Sequence, residues 1–136
     1  MLSRGLELDE DDRGDVLKRV DWCAANLHVS LPEPADLVTI DVAWTRQRNI
    51  LPNARKLLQR TGTVVTLIKP HYEAEATHLR GGVLLESEIS AVLERVKQDA
   101  MDSGFEWLSV TTSPIKGAKG NIEMLAHLRQ SEHIQK

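Results

Sequence analysis

The chain has 136 residues, 41% hydrophobic and 27% charged, with a net charge of −3 at neutral pH. This balance describes one globular domain and excludes disordered, collagen-like and disulfide-stapled classes. No apolar run approaches the roughly 20 residues that cross a bilayer, and no secretory signal pattern opens the chain, so a cytoplasmic protein with no membrane partner is expected.

The charge is unevenly spread. Residues 1–41 carry ten acids against four bases, and residues 42–136 carry ten acids against thirteen bases. The first 35 residues form an acidic segment, LELDEDDRGD and onward, in which VLKRVDWCAANL reads as a helix or an edge strand. Cys23 has no partner at disulfide or metal-ligand spacing and reads as a small buried apolar residue.

From residue 36 the pattern sharpens. DLVTIDV is a β-branched run of the kind that forms a buried strand, and GTVVTLIK is another. Between them RQRNILPNARKLLQRTG places Ile50, Leu51, Ala54, Leu57 and Leu58 at helical spacing. Pro52 suits an early turn of that helix, and Gly62 suits its left-handed C-terminal cap. Strand, helix and strand within roughly 33 residues make a βαβ unit with parallel strands and a right-handed crossover.

PHYEAEATHLRGGVLLE, residues 70–86, shows no sustained period and reads as a long excursion from a strand end. Ser87 then caps a helix whose stripe is Ile89, Val92, Leu93, Val96 and Ala100, ended by Gly104. FEWLSVTT is a strand, SPIKGAKG a turn, and NIEMLAHLR the last strand, antiparallel to its predecessor. The expected fold is therefore α/β: about four strands, a parallel pair plus a C-terminal antiparallel hairpin, with flanking helices.

In an open parallel sheet, ligands bind beyond the carboxyl ends of the strands. Asp41 and Lys69 stand at two such ends. Neighbouring strands about 4.8 Å apart bring these side chains within ion-pair range. Glu123 reaches the same region if the last strand inserts beside the second. A lysine between carboxylates serves as a fixed cation or a proton acceptor. Plainer readings stand beside these: a strand-end cap for Asp41, an exposed edge residue for Lys69, a solvent-facing strand position for Glu123. Arg46, Arg48, Arg55, Lys56 and Arg60 form a basic run that either meets phosphate or is a solvated helix face. The histidines show no HxxxH or HxH spacing, and no metal site is expected. No GxSxG elbow is present. Trp22, Trp44 and Trp107 read as core or interface anchors.

DLVTIDV, LIKPHYE, RGGVLLE, SPIKG and GNIEMLAHLR together resemble, in order and spacing, the C-terminal part of the hemolysin A (TlyA) group of FtsJ-like RNA methyltransferases. The likeness runs over residues 34–129. It implies a Rossmann-like sheet that uses S-adenosylmethionine to methylate a ribose 2′-hydroxyl of RNA, in particular ribosomal RNA. It further implies that Asp41, Lys69 and Glu123 match the last three members of the family's Lys-Asp-Lys-Glu tetrad, with Asp41 also facing the cofactor. Arg46, Arg48, Lys116 and Lys119 would then meet RNA. Trp44, Thr45, His71 and Tyr72 depart from the family's usual residues. No Gly-rich cofactor loop is found in the first 40 residues. The expected organisation is an acidic segment at 1–35, the C-terminal half of the methyltransferase domain at 36–130 and a tail at 131–136. The strand that should flank DLVTIDV is not evident. A bare edge of this kind must be covered, by the N-terminal segment, by a second copy of the chain or by another polypeptide. A catalytically inactive interaction or RNA-binding module of the same descent is the competing reading.

Overall fold

A computed structural model of the chain describes residues 31–42 and 45–132. The expected helix or edge strand at 16–27, with Trp22 and Cys23, lies outside the described residues, as do His28, Trp44 and His133.

Four strands form the main sheet: β1 (Ala35–Ile40), β2 (Leu58–Ile68), β5 (Phe105–Thr112) and β6 (Met124–Gln130). Their spatial order is β1-β2-β6-β5. β1 and β2 are parallel, pairing Leu37 with Thr63 through Ile40 with Thr66. β6 runs antiparallel to both neighbours. A parallel pair needs a crossover, supplied by helix α1 (Gln47–Leu57). The antiparallel pair β5 and β6 needs only a loop. The expected fold class is found, and the last strand does insert beside β2.

One face of the sheet is closed by α1 and by α3 (Glu86–Asp102). The period-two alternation of β2 sends Val64, Thr66 and Ile68 to this face, where they are buried with Val38, Ile40, Ala126 and Leu128. α1 contributes Ile50, Leu51 and Ala54, and α3 contributes Val92, Val96 and Ala100. These helical positions follow the spacing read from the sequence.

Local details differ from expectation. Gly62 lies buried inside β2 and does not cap α1, which passes directly into the strand at Leu58. A Cβ there would fall 2.7 Å from Leu58 Cδ2 and 3.0 Å from Gln59 O, so the glycine answers to close packing. Pro52 is the sixth residue of α1, beyond its first turn. α3 begins at Glu86, with Leu85 at the cap position and no side-chain cap bond, so Ser87 lies inside the helix. The excursion at 70–86 is built from short pieces: α2 (Pro70–Glu73), a 3₁₀ turn at Ala76–His78, and the hairpin β3 (Leu79–Arg80) and β4 (Val83–Leu84). Gly81 and Gly82 turn that hairpin with φ of 60° and 81°, the double positive-φ geometry that favours glycine in two-residue turns.

Candidate functional site

β1 and β2 end at Ile40 and Ile68, and the next residues are Asp41 and Lys69. Lys69 Nζ lies 2.9 Å from Asp41 Oδ1. The lysine side chain is 16% exposed and the aspartate 71% exposed. The aliphatic stem is therefore sheltered, and the charged tip meets a carboxylate that faces solvent. An edge lysine waving in water does not fit this burial.

The backbone around Lys69 is fixed. Its carbonyl accepts the N–H of Tyr72 at 2.8 Å and of Glu73 at 3.2 Å, which makes it the cap of α2. Pro70 occupies the first helical position, where a missing N–H costs nothing. LIKPHYE thus codes a strand that stops and turns within one residue.

Glu123 immediately precedes β6. The register pairs Ile68 with Met124, and one further step places Glu123 opposite Lys69. Glu123 is buried, at 8% exposure, which excludes the solvent-facing reading. The loop that buries it is SPIKGAKGN. A Cβ on Gly117 would fall 2.7 Å from Glu123 Cδ and closer still to its Oε2, so only glycine lets the loop lie on the carboxylate. Ser113 N donates to Glu123 O at 2.8 Å.

Asn121, which the sequence reading passed over, stitches this loop to the Gly-Gly hairpin. Its side-chain amide donates to Gly82 O and Ala118 O, each at 2.9 Å. Its Oδ1 accepts the Leu84 N–H at 3.1 Å. Lys119, at a φ of 58°, adds a bond from Nζ to Gly81 O at 3.0 Å. The motifs RGGVLLE and SPIKGAKGN, joined by hydrogen bonds that span 37 to 39 residues of chain, form one structural unit beside the rim.

A second overlooked group is buried behind the ion pair. Glu73 Oε1 accepts the backbone N–H of Gln47 at 2.8 Å. The Gln47 side chain accepts from Thr66 Oγ1 at 2.8 Å and donates to Leu67 O at 3.4 Å. Burial raises the Glu73 pKa above the usual carboxylate value against the opposing pull of the Gln47 N–H. His71 is buried too, and burial followed by the Lys69 charge lowers its pKa below the usual histidine value. A glutamate three residues past a Lys-Pro pair was the available signal. Its partner, 26 residues upstream, was not visible.

The expected RNA-contacting residues separate. Arg46 stands at the start of α1 near the rim, 3.6 Å from Glu75. Arg48 instead lines a groove with Arg55, Lys56, Asp99 and Asp102, toward the C-terminal ends of α1 and α3. Lys116 is exposed on the loop over Glu123, and Lys119 is engaged with Gly81. The structure thus gathers Asp41, Lys69, Glu123 and Arg46 at one end and leaves Arg48 on a separate surface. No helix among the described residues is long and apolar enough to cross a membrane.

Residues 5–130 match the FtsJ-like methyltransferase family. Hemolysin A of Brachyspira hyodysenteriae is 38% identical over 97 residues, covering 70% of this chain and 40% of that protein. The 16S/23S rRNA (cytidine-2'-O)-methyltransferase TlyA of Mycobacterium tuberculosis is 29% identical over 96 residues, covering 69% of this chain and 36% of that protein. A solved structure described as "Putative hemolysin from Streptococcus thermophilus" superposes with a TM-score of 0.74 at 37% identity, covering 82% of this chain and 42% of that one. The chain thus spans well under half the length of these relatives. With the paired Asp41 and Lys69 at adjacent strand ends and a family match over nearly its whole length, the chain belongs to the FtsJ-like methyltransferase family.

Proposed function

We propose that this chain carries the acceptor side of an S-adenosylmethionine-dependent RNA ribose 2′-O-methyltransferase, with ribosomal RNA as the substrate class. The observation that carries the reading is the Lys69–Asp41 pair at 2.9 Å on the strand-end rim, with Glu123 opposite Lys69 in the register. TlyA of Mycobacterium tuberculosis, named for cytidine 2′-O-methylation of 16S and 23S rRNA, supports the choice of acceptor.

The residues fit the cofactor in part. Asp41 is exposed and pairs with Lys69 through Oδ1, which leaves its other oxygen to accept a hydrogen bond from a ligand. No glycine-rich cradle is found among the described residues. S-adenosylmethionine, when bound, supplies a methyl group on a positively charged sulfur. Lys69 orients or deprotonates the ribose 2′-oxygen and stabilises the negative charge that grows on it during attack. Asp41 holds the lysine in place, and Glu123 stands opposite it in the register. Arg46 and Lys116 supply phosphate contacts, and Arg46 is the best placed for RNA bound at the rim.

A second reading is favoured by one observation: the outer edge of β1 has no partner strand among the described residues. Such an edge calls for a partner, and a second copy of the chain is the commonest closed solution. In that reading the domain is an interaction module without turnover.

Calorimetric titration with S-adenosylmethionine, at protein concentrations that reveal millimolar binding, tests the choice. Binding by the chain, followed by RNA methyl transfer that Lys69→Ala abolishes, supports the enzyme. Absence of heat both alone and in mixture with a relative's N-terminal half overturns it in favour of the interaction module.

A further inference from the structure

Helix α1 begins without a local cap. Arg46 occupies the cap position and makes no side-chain cap bond, and the first turn contains no acidic residue. The first N–H groups of a helix have no partner within it, and an anion near them is favoured by the helix dipole. Here the missing acceptor comes from elsewhere in the chain. Glu73 Oε1 takes the N–H of Gln47, the first residue of α1, at 2.8 Å.

Glu73 is itself tied to Lys69. Its N–H donates to the Lys69 carbonyl, and its own carbonyl accepts a bond from the Arg95 guanidinium of α3. The Gln47 side chain is bonded to Thr66 and Leu67, the residues of β2 just before Lys69. One buried carboxylate therefore joins the turn that carries Lys69 to the start of α1, where the segment leading from Asp41 arrives. Arg46 and Glu75, each one or two residues from this joint, pair across the same gap.

We propose that Glu73 is a positioning residue that holds the Lys69 turn and the start of α1 together, and so keeps Asp41 and Lys69 within ion-pair distance. The functional importance of that pair rests on the methyltransferase reading. The geometric claim does not, and the test separates them.

The test uses nuclear magnetic resonance on the folded chain. The Lys69 Nζ shift, read through its Cε protons, is calibrated by its change in Asp41→Asn, and hydrogen exchange is followed at the Gln47 amide. Glu73→Ala is expected to speed Gln47 exchange by about tenfold, the scale of one buried hydrogen bond. It should also move the Lys69 shift toward its value in Asp41→Asn. Glu73→Gln keeps an acceptor at Oε1 and is expected to restore both signals. Should Glu73→Ala not fold, Glu73→Asp, one methylene shorter, is expected to give the same two losses. An unchanged Lys69 shift in folded Glu73→Ala or Glu73→Asp overturns the proposal, as does failure of Glu73→Gln to restore it. Absence of methyl transfer in the wild-type chain would count against the enzyme reading alone and leave these signals interpretable.

Discussion

Two ion pairs join neighbouring strands of the same sheet, and they sit at positions of opposite character. Arg129 and Glu106 face each other across β6 and β5, with Nη2 at 2.5 Å and Nε at 3.0 Å from one glutamate oxygen, both side chains about half exposed. Lys69 and Asp41 meet at 2.9 Å beyond the ends of β2 and β1, with the lysine mostly buried. The shorter contact is the one on the open ladder, so length does not rank the pairs by role; surroundings do. The first pair stands on a regular ladder with water on both side chains, where screening leaves an ion pair worth roughly 0–1 kcal/mol. The second lies where strands stop, backed by buried Gln47, His71, Glu73 and Glu123. Buried polar groups cost stability unless each is satisfied. A cluster of them behind one exposed carboxylate is what a ligand site requires and a merely stabilising contact does not.

The largest expected effect separates the two pairs by function. In a preparation that methylates RNA, Lys69→Ala should lower the rate by roughly 10²–10⁴-fold, the range for a removed acid–base or orienting group. Arg129→Ala should leave it unchanged within error. Comparable losses in both variants would remove the distinction drawn between the two regions.

The next effect is structural. Gly117→Ala puts a methyl group against the Glu123 carboxylate, with Cδ at 2.7 Å. Either the loop lifts or Glu123 moves, and overpacking of this kind costs about 1–3 kcal/mol. Chemical denaturation should report that loss. Gly120, which has open space around its Cβ position, is the control for packing at the same loop, although its φ of 78° carries its own backbone cost.

The comparison also shows what the sequence made legible. The strands announced themselves because short β-branched runs such as TVVTLI, bounded by a glycine and a proline, favour extended backbone. The parallel crossover and the antiparallel hairpin were legible, but the insertion of β6 beside β2 was only a condition until the register showed it. The Asp41–Lys69 contact was legible because both residues end parallel neighbours, so strand spacing sets their backbones side by side. Gly62 misled because a glycine after a helical stripe signals a cap, whereas here it relieves crowding against Leu58 within a strand. Residues 70–86 hid their order because their pieces are each held by distant partners, Leu84 by Asn121 and Gly81 by Lys119. Glu73 was invisible for the same reason. Its meaning lies in an N–H of Gln47, and no local pattern points there.

Glu73 gives the fold a pH signature. Burial is the main cause of its raised pKa, with the Gln47 N–H, Arg95 and Arg46 opposing it and Asp99 adding to it. The folded protein therefore holds this proton more tightly than the unfolded chain. The resulting stabilisation is complete below the ordinary glutamate value and is lost as pH rises through the raised one. Glu73→Gln cannot ionise, so thermal melts from acid to neutral pH should show the variant gaining on wild type as pH increases. A constant difference between the two would mean that Glu73 ionises in the fold as readily as in the unfolded chain.

The smallest expected effect closes the comparison from the other side. In a double-mutant cycle, Arg129→Ala and Glu106→Ala should couple by less than about 1 kcal/mol, and added salt should weaken the coupling further. The pair owes what strength it has to standing directly opposite in the register, where cross-strand charges interact but remain hydrated. The same cycle on Lys69 and Asp41 should resist salt more, because the buried lysine stem excludes water from one side of the contact. If salt affects both couplings equally, the rim pair is electrostatically ordinary. Its role would then rest on its place at the strand ends alone.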